Sequence, residues 1–180
     1  MKDGTIGSRG NGWRLLLWGG AAALLLAPLI AMQFTSEVAW TRSDFVIMGV
    51  MLATVCGGIE LAVRMSRHHA ARAAAGVALV TAFLLTWMNL AVGVIGNENN
   101  PLNLMFFGVI AVGFAGALLA RLRPGGMAVA MAATALAQTL VAVVAQAYGH
   151  FTWVLTAVFV ALWLGSAWLF RKAARDQAAA

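Results

Sequence analysis

Charge is what this chain lacks most. Only 10% of its 180 residues are Asp, Glu, Lys or Arg, against about 25% in an ordinary soluble domain. Cysteine is nearly absent: Cys56 stands alone inside an apolar run, which excludes an internal disulfide and a cysteine-held metal cluster. Its plain role is that of a small buried hydrophobe. There are three prolines, and only Pro28 falls deep within an apolar run. No run shows strand-like alternation. There is no Ser/His/Asp constellation, no glycine-rich phosphate loop following a strand and no His-Glu-x-x-His. No motif therefore indicates a reaction or a cofactor, and the reading leans away from an enzyme.

What is present is hydrophobic bulk. Apolar residues make up 62% of the chain, and the mean hydropathy is +0.87. A bilayer core of about 30 Å needs about 20 helical residues. Six runs meet that length: roughly Trp13–Thr35, Phe45–Arg64, Ala73–Ile95, Leu102–Ala120, Met127–Ala147 and Thr152–Phe170. Helices satisfy their own backbone in lipid, so the expected fold is an all-α integral membrane protein, a bundle of six transmembrane helices with short loops. The first run is read as a retained span, since it is long for a signal peptide and lacks a clear Ala-x-Ala exit. Three segments follow from this: a short N-terminal piece over residues 1–12, a transmembrane domain over 13–170 and a basic tail over 171–180.

The positive charges give the orientation. Lys2, Arg9, Arg14, Arg64, Arg67, Arg72, Arg121, Arg123, Arg171, Lys172 and Arg175 fall on one side of the predicted bundle, and Arg42 alone on the other. By the positive-inside rule both termini face the cytoplasm. The isoelectric point near 11.1 is then a topology signal. Anionic lipid headgroups are a sufficient partner for these residues, and no segment is long enough to make a nucleic-acid surface.

The loops cannot hold a soluble catalytic domain, so function must lie in the bundle, at its ends or on its lipid-facing or partner-facing surface. Glu60 is an ionisable residue within a span, a functional candidate by default because placing it there costs a few kcal/mol. Its structural reading is a pair with Arg64 one turn later. Asn89 and Gln138 are amides within predicted helices three and five. Each could join helices or line a polar cavity. The most suggestive stretch is Gly96–Asn103, a polar segment between two apolar runs. Asn97, Glu98, Asn99 and Asn103, together with Asn89 below them, form the candidate site. Outer oxygen ligands suit a hard cation, but no metal-ligand spacing is present, and no metal is assigned.

Helix starts two and four look alike. Thr41-Arg-Ser-Asp44 has the form of a capping box. Asn100-Pro101-Leu-Asn103 is a variant with Asn100 as cap and Pro101 at the first helical position. An offset of 59 residues also matches Gly49 with Gly108 and Arg64 with Arg123. Two parallel hairpin repeats would explain this, and so would capping chemistry and charge placement acting separately. Small residues at four-residue spacing, such as Gly113 with Ala117 and Ala128 with Ala132, suit close helix packing within the chain or in a homo-oligomer.

The string from Glu37 to Phe45 (EVAWTRSDF) and that from Gly93 to Gly108 (GVIGNENNPLNLMFFG) resemble a family of small bacterial inner-membrane proteins without an assigned activity. The resemblance implies a bacterial origin and a multi-pass inner-membrane location. It implies no activity and no site residue. The functional expectation is a small-solute or ion transporter with an outward-facing polar mouth. The alternative is an accessory or scaffold protein working through helix–helix contacts with another membrane protein.

Overall fold

A computed structural model describes residues 12–179. The segment 1–11, with Lys2 and Arg9 of the charge argument, lies outside the described residues, as does Ala180. Among the described residues there is no strand. Six helices run in order: α1 (Gly12–Ala31), α2 (Arg42–Met65), α3 (His69–Ala91), α4 (Met105–Leu119, preceded by a 3-10 turn at Pro101–Leu104), α5 (Pro124–Ala147) and α6 (Trp153–Ala178). All six, with the 3-10 turn counted into the fourth, are long and apolar enough to cross a membrane. The chain is an all-helical, six-span membrane protein.

It divides into two compact units, Met1–Gly57 and Gly58–Ala180. In the first, the start of α2 carries the expected cap. Thr41 N–H donates to Asp44 Oδ2 at 2.6 Å and the Thr41 hydroxyl donates to the same oxygen at 2.8 Å. None of the α1 residues is buried.

The second unit is a four-helix assembly. Helix α5 packs on both α4 and α6, and α3 packs on α6. Gly116 permits the α4–α5 approach, because a Cβ there would lie 2.7 Å from the Ala130 Cβ. Gly113, one of the small residues read from the sequence, likewise faces α5, where a Cβ would lie 3.1 Å from the Thr134 hydroxyl oxygen. The buried positions of α6 are Thr156, Phe159, Trp163, Ser166, Phe170 and Ala173, spaced alternately by three and four. That spacing gives one inward stripe. Ser166 donates to the Ala74 carbonyl at 2.9 Å and ties α6 to α3.

Several helix ends differ from the sequence expectation, and two of them bear on the ends of the bundle. Helix α3 stops at Ala91 rather than Ile95, because Gly93 takes φ +70°, which leaves the right-handed helical path. Helix α6 runs on to Ala178, so Arg171, Lys172 and Arg175 extend it as exposed helix. Trp163 is buried, whereas Trp87 is 40% exposed and lies against Phe83.

Candidate functional site

Past Ala91 the chain runs without regular structure to Pro101. Its backbone groups need partners that a helix would otherwise supply. Asn103 supplies them. Its Oδ1 accepts from Val94 N–H at 3.0 Å and Ile95 N–H at 2.8 Å. Its Nδ2 donates to the Ile95 carbonyl at 3.3 Å and the Asn97 carbonyl at 2.6 Å. One buried amide thereby folds residues 94–97 over the start of α4. Gly93 and Gly96 make the turns, at φ +70° and +71°.

Asn100 does what the sequence predicts: its Oδ1 accepts from Leu102 N–H at 3.0 Å and caps the 3-10 turn, with Pro101 at the first position. That fixes the amide orientation, so the Asn100 NH2 faces His150 Nε2 at 3.3 Å. An amide NH2 can only donate, so the imidazole nitrogen is the acceptor of this pair. This bond links the α3–α4 connection to the α5–α6 connection. The expected likeness to the α2 start holds for the cap alone. Asp44 reaches back to its cap residue, whereas Asn103 turns away to Val94 and Ile95.

Beside this knot lies a pocket of about 300 Å³, lined by Asn89, Glu98, Asn99, Asn100, Asn103 and Phe107 among others. Asn89 is 5% exposed. Its Nδ2 donates to the Asn103 carbonyl at 3.1 Å, and its Oδ1 has no partner in the chain. Glu98 and Asn99 are exposed at the rim, where Asn99 Nδ2 lies 3.4 Å from Glu98 Oε1. The structure therefore brings Asn89, Glu98, Asn99 and Asn103 to one pocket.

The other two candidates lie apart from it. Asn97 serves the loop, its Oδ1 accepting from Asn99 N–H at 3.0 Å. Glu60 pairs with Arg64 at 3.1 Å, and with its side chain 17% exposed beside a largely exposed arginine it has the structural role. Among the described residues no group of three His, Cys, Asp or Glu is placed to hold a metal ion.

No protein-family profile, curated protein or solved structure matches the chain. The roles of these residues rest on their geometry, and the two resembling strings carry no role over.

A second set of polar groups centres on Gln138, which the sequence singled out, and on three residues that it did not. Gln138 is fully buried, and neither its Oε1 nor its Nε2 has a partner. The Thr152 and Thr156 hydroxyls and the Trp163 indole N–H are likewise buried without partners in the chain. An unpaired buried polar group costs about 1–3 kcal/mol, so five such side chains, Asn89 included, are a feature that needs a cause. The available signal was the spacing Thr156, Phe159, Trp163 on the inward stripe of α6, with Thr152 one turn before Thr156 at the helix cap.

Proposed function

We propose that this chain is a small permeation protein of a bacterial inner membrane, with both termini in the cytoplasm and the Asn89 pocket open to the outside. Residues with spare hydrogen-bonding capacity at the pocket would receive a small polar solute. The observation that carries this reading is Asn89 Oδ1, a buried acceptor with no partner in the chain, on a pocket rimmed by Glu98 and Asn99. A purely structural amide would have both its ends engaged. The charge asymmetry supports the orientation. At the opposite, basic end, Lys172 Nζ lies 6.0 Å from the Trp168 ring centre, beside Arg171 and Arg175. That arrangement of an interfacial indole and cations suits anionic lipid headgroups.

Solute flux into proteoliposomes tests the reading. The wild-type chain carries a small polar solute, and Asn89→Ala lowers the rate about tenfold, the effect of one lost hydrogen bond of about 1.4 kcal/mol. Glu98→Ala changes selectivity at the rim with a smaller effect on rate. A second reading, an accessory protein acting through helix contacts, is favoured by α1, which has no buried residue although it is rich in leucine. Absence of flux for every solute, together with stable co-purification of another membrane protein, would move the assignment there.

A further inference from the structure

The pocket beside Asn103 is defined by which of its polar groups the chain already uses. Its donors are engaged. Asn103 Nδ2 donates to the Ile95 and Asn97 carbonyls, Asn89 Nδ2 to the Asn103 carbonyl and Asn99 Nδ2 to Glu98 Oε1. The Asn100 NH2 faces His150. Each lining amide thus has its NH2 directed at a partner within the chain. Acceptors are what remains. Asn89 is 5% exposed, and its Oδ1 has no partner in the chain. The Glu98 carboxylate receives one long approach, from Asn99 at 3.4 Å, although a carboxylate has room for about four hydrogen bonds. A ligand that satisfies this set must donate.

Charge narrows the class further. Glu98 is the ionisable residue of the lining, and among the described residues no cation is paired with it. The basic residues of the four-helix unit stand at its far end, from Arg72 in the first turn of α3 to Arg171 in the last turns of α6. At about 1.5 Å per residue they begin roughly 27 Å from the pocket end, well beyond a screening length of about 10 Å. An anion would meet an uncompensated carboxylate there, and a cation meets one without a competitor. A bare metal ion is a poor match, since no group of three His, Cys, Asp or Glu is placed to hold it among the described residues. The rest of the wall includes Leu90, Leu104 and Phe107, all exposed. A hydrated inorganic ion gains nothing from such a wall, whereas an organic substituent does. The volume of about 300 Å³ lies at the lower end of the range for small-molecule sites.

We propose that this pocket takes a small organic cation carrying both N–H donors and a short apolar substituent, an alkylammonium or alkylguanidinium ion. Glu98 meets the charge at the rim, Asn89 Oδ1 accepts an N–H, and Leu90, Leu104 and Phe107 receive the alkyl group. The inference rests on the permeation reading for its site and names the class of solute that reading leaves open.

The thermal midpoint of the purified chain in detergent reads binding by mass action. The probes, at equal concentration and ionic strength, are n-butylammonium, 1-butanol, butyrate, tetramethylammonium and sodium. The first raises the midpoint most, because the others lack the charge, the donors or both. Glu98→Gln weakens n-butylammonium about threefold, as an exposed ion pair allows, and leaves 1-butanol unchanged. Glu98→Lys abolishes the n-butylammonium shift, and its exposed position keeps the ligand-free midpoint near that of wild type. Passage is read separately, as uptake into proteoliposomes of n-butylguanidinium, which stays charged and does not cross lipid as a neutral molecule. An equal response to 1-butanol or butyrate, or one indifferent to both Glu98 variants, overturns the cationic class. Neutral-solute flux that falls with Asn89→Ala then leaves the permeation reading in place. An equal response to tetramethylammonium or sodium overturns the donor requirement and the assignment with it. A Glu98-dependent shift without n-butylguanidinium uptake keeps the ligand class and removes permeation. Neither a shift nor flux of any solute removes both.

Discussion

Asn103 and Gln138 are both buried carboxamides in the same four-helix unit, and they are used in opposite ways. Asn103 makes four side-chain hydrogen bonds, to groups of Val94, Ile95 and Asn97. Gln138 makes none within the chain. The difference follows from the backbone around them. Asn103 sits next to nine residues, 92–100, that have left a helix and whose N–H and C=O groups lack ladder partners. Gln138 sits in the middle of α5, where each backbone group already has its partner four residues away, so its amide is surplus to the fold. The lesson is that buried polarity alone does not mark a site; what the local backbone needs from it has to be counted first.

The strongest way to break this contrast is to remove the amide that the loop depends on. Asn103→Leu leaves Val94 and Ile95 N–H without their acceptor and two carbonyls without their donor. The expected loss of stability is about 3 kcal/mol, towards the upper end for one change. Thermal unfolding in detergent measures it. Asn103→Asp keeps the acceptor and loses the donor, and should fall between wild type and Asn103→Leu. Next in size is Gly93→Ala. The residue holds φ +70°, and a Cβ would stand 2.4 Å from the Asn97 carbonyl group, so the turn cannot be kept unchanged. About 2 kcal/mol is expected from the backbone conformation and the clash together, read as a lower midpoint and faster amide exchange over residues 92–100.

A smaller effect is expected at the bond that joins the two connections. Asn100→Ala removes both the cap on Leu102 N–H and the contact with His150 Nε2. A cap is worth about 1 kcal/mol, and the single neutral contact with the half-buried imidazole, at 3.3 Å, adds less. His150→Ala alone should cost less than Asn100→Ala in the same unfolding measurement. The reverse order would mean that the cross-link, not the cap, holds this end together.

Much of this was legible in the sequence because it depends on local chemistry. Six apolar runs of sufficient length gave six helices, and the caps at Thr41 and Asn100 could be read from their own side chains and spacing. Glu60 with Arg64 was legible for the same reason, four residues apart on one helix. Helix ends were less legible. The stop of α3 depends on Gly93 adopting a positive φ, which the apolar pattern through Ile95 conceals. The role of Asn103 was misread because position three after a cap suggested reaching back along its own helix start, whereas its partners lie six to nine residues earlier on the returning loop. The interior set was least legible. Whether Gln138 finds a partner is decided by which side chains α3, α4 and α6 bring to its level, and no spacing within α5 encodes that.

The smallest expected change is also the one that separates the two uses of an amide. If Gln138 joined helices, its replacement by leucine would cost about 1–2 kcal/mol, as interhelical hydrogen bonds in membranes do. With no partner in the chain, the desolvated amide is a burden on the solute-free protein. A leucine of similar volume removes that burden and leaves no polar group stranded. The expected result for Gln138→Leu without added solute is therefore between no change and a gain of about 1 kcal/mol, measured as the thermal midpoint beside Asn103→Leu. A stabilised chain would show an amide kept at the expense of stability. A destabilised one would return Gln138 to the same class as Asn103 and dissolve the contrast.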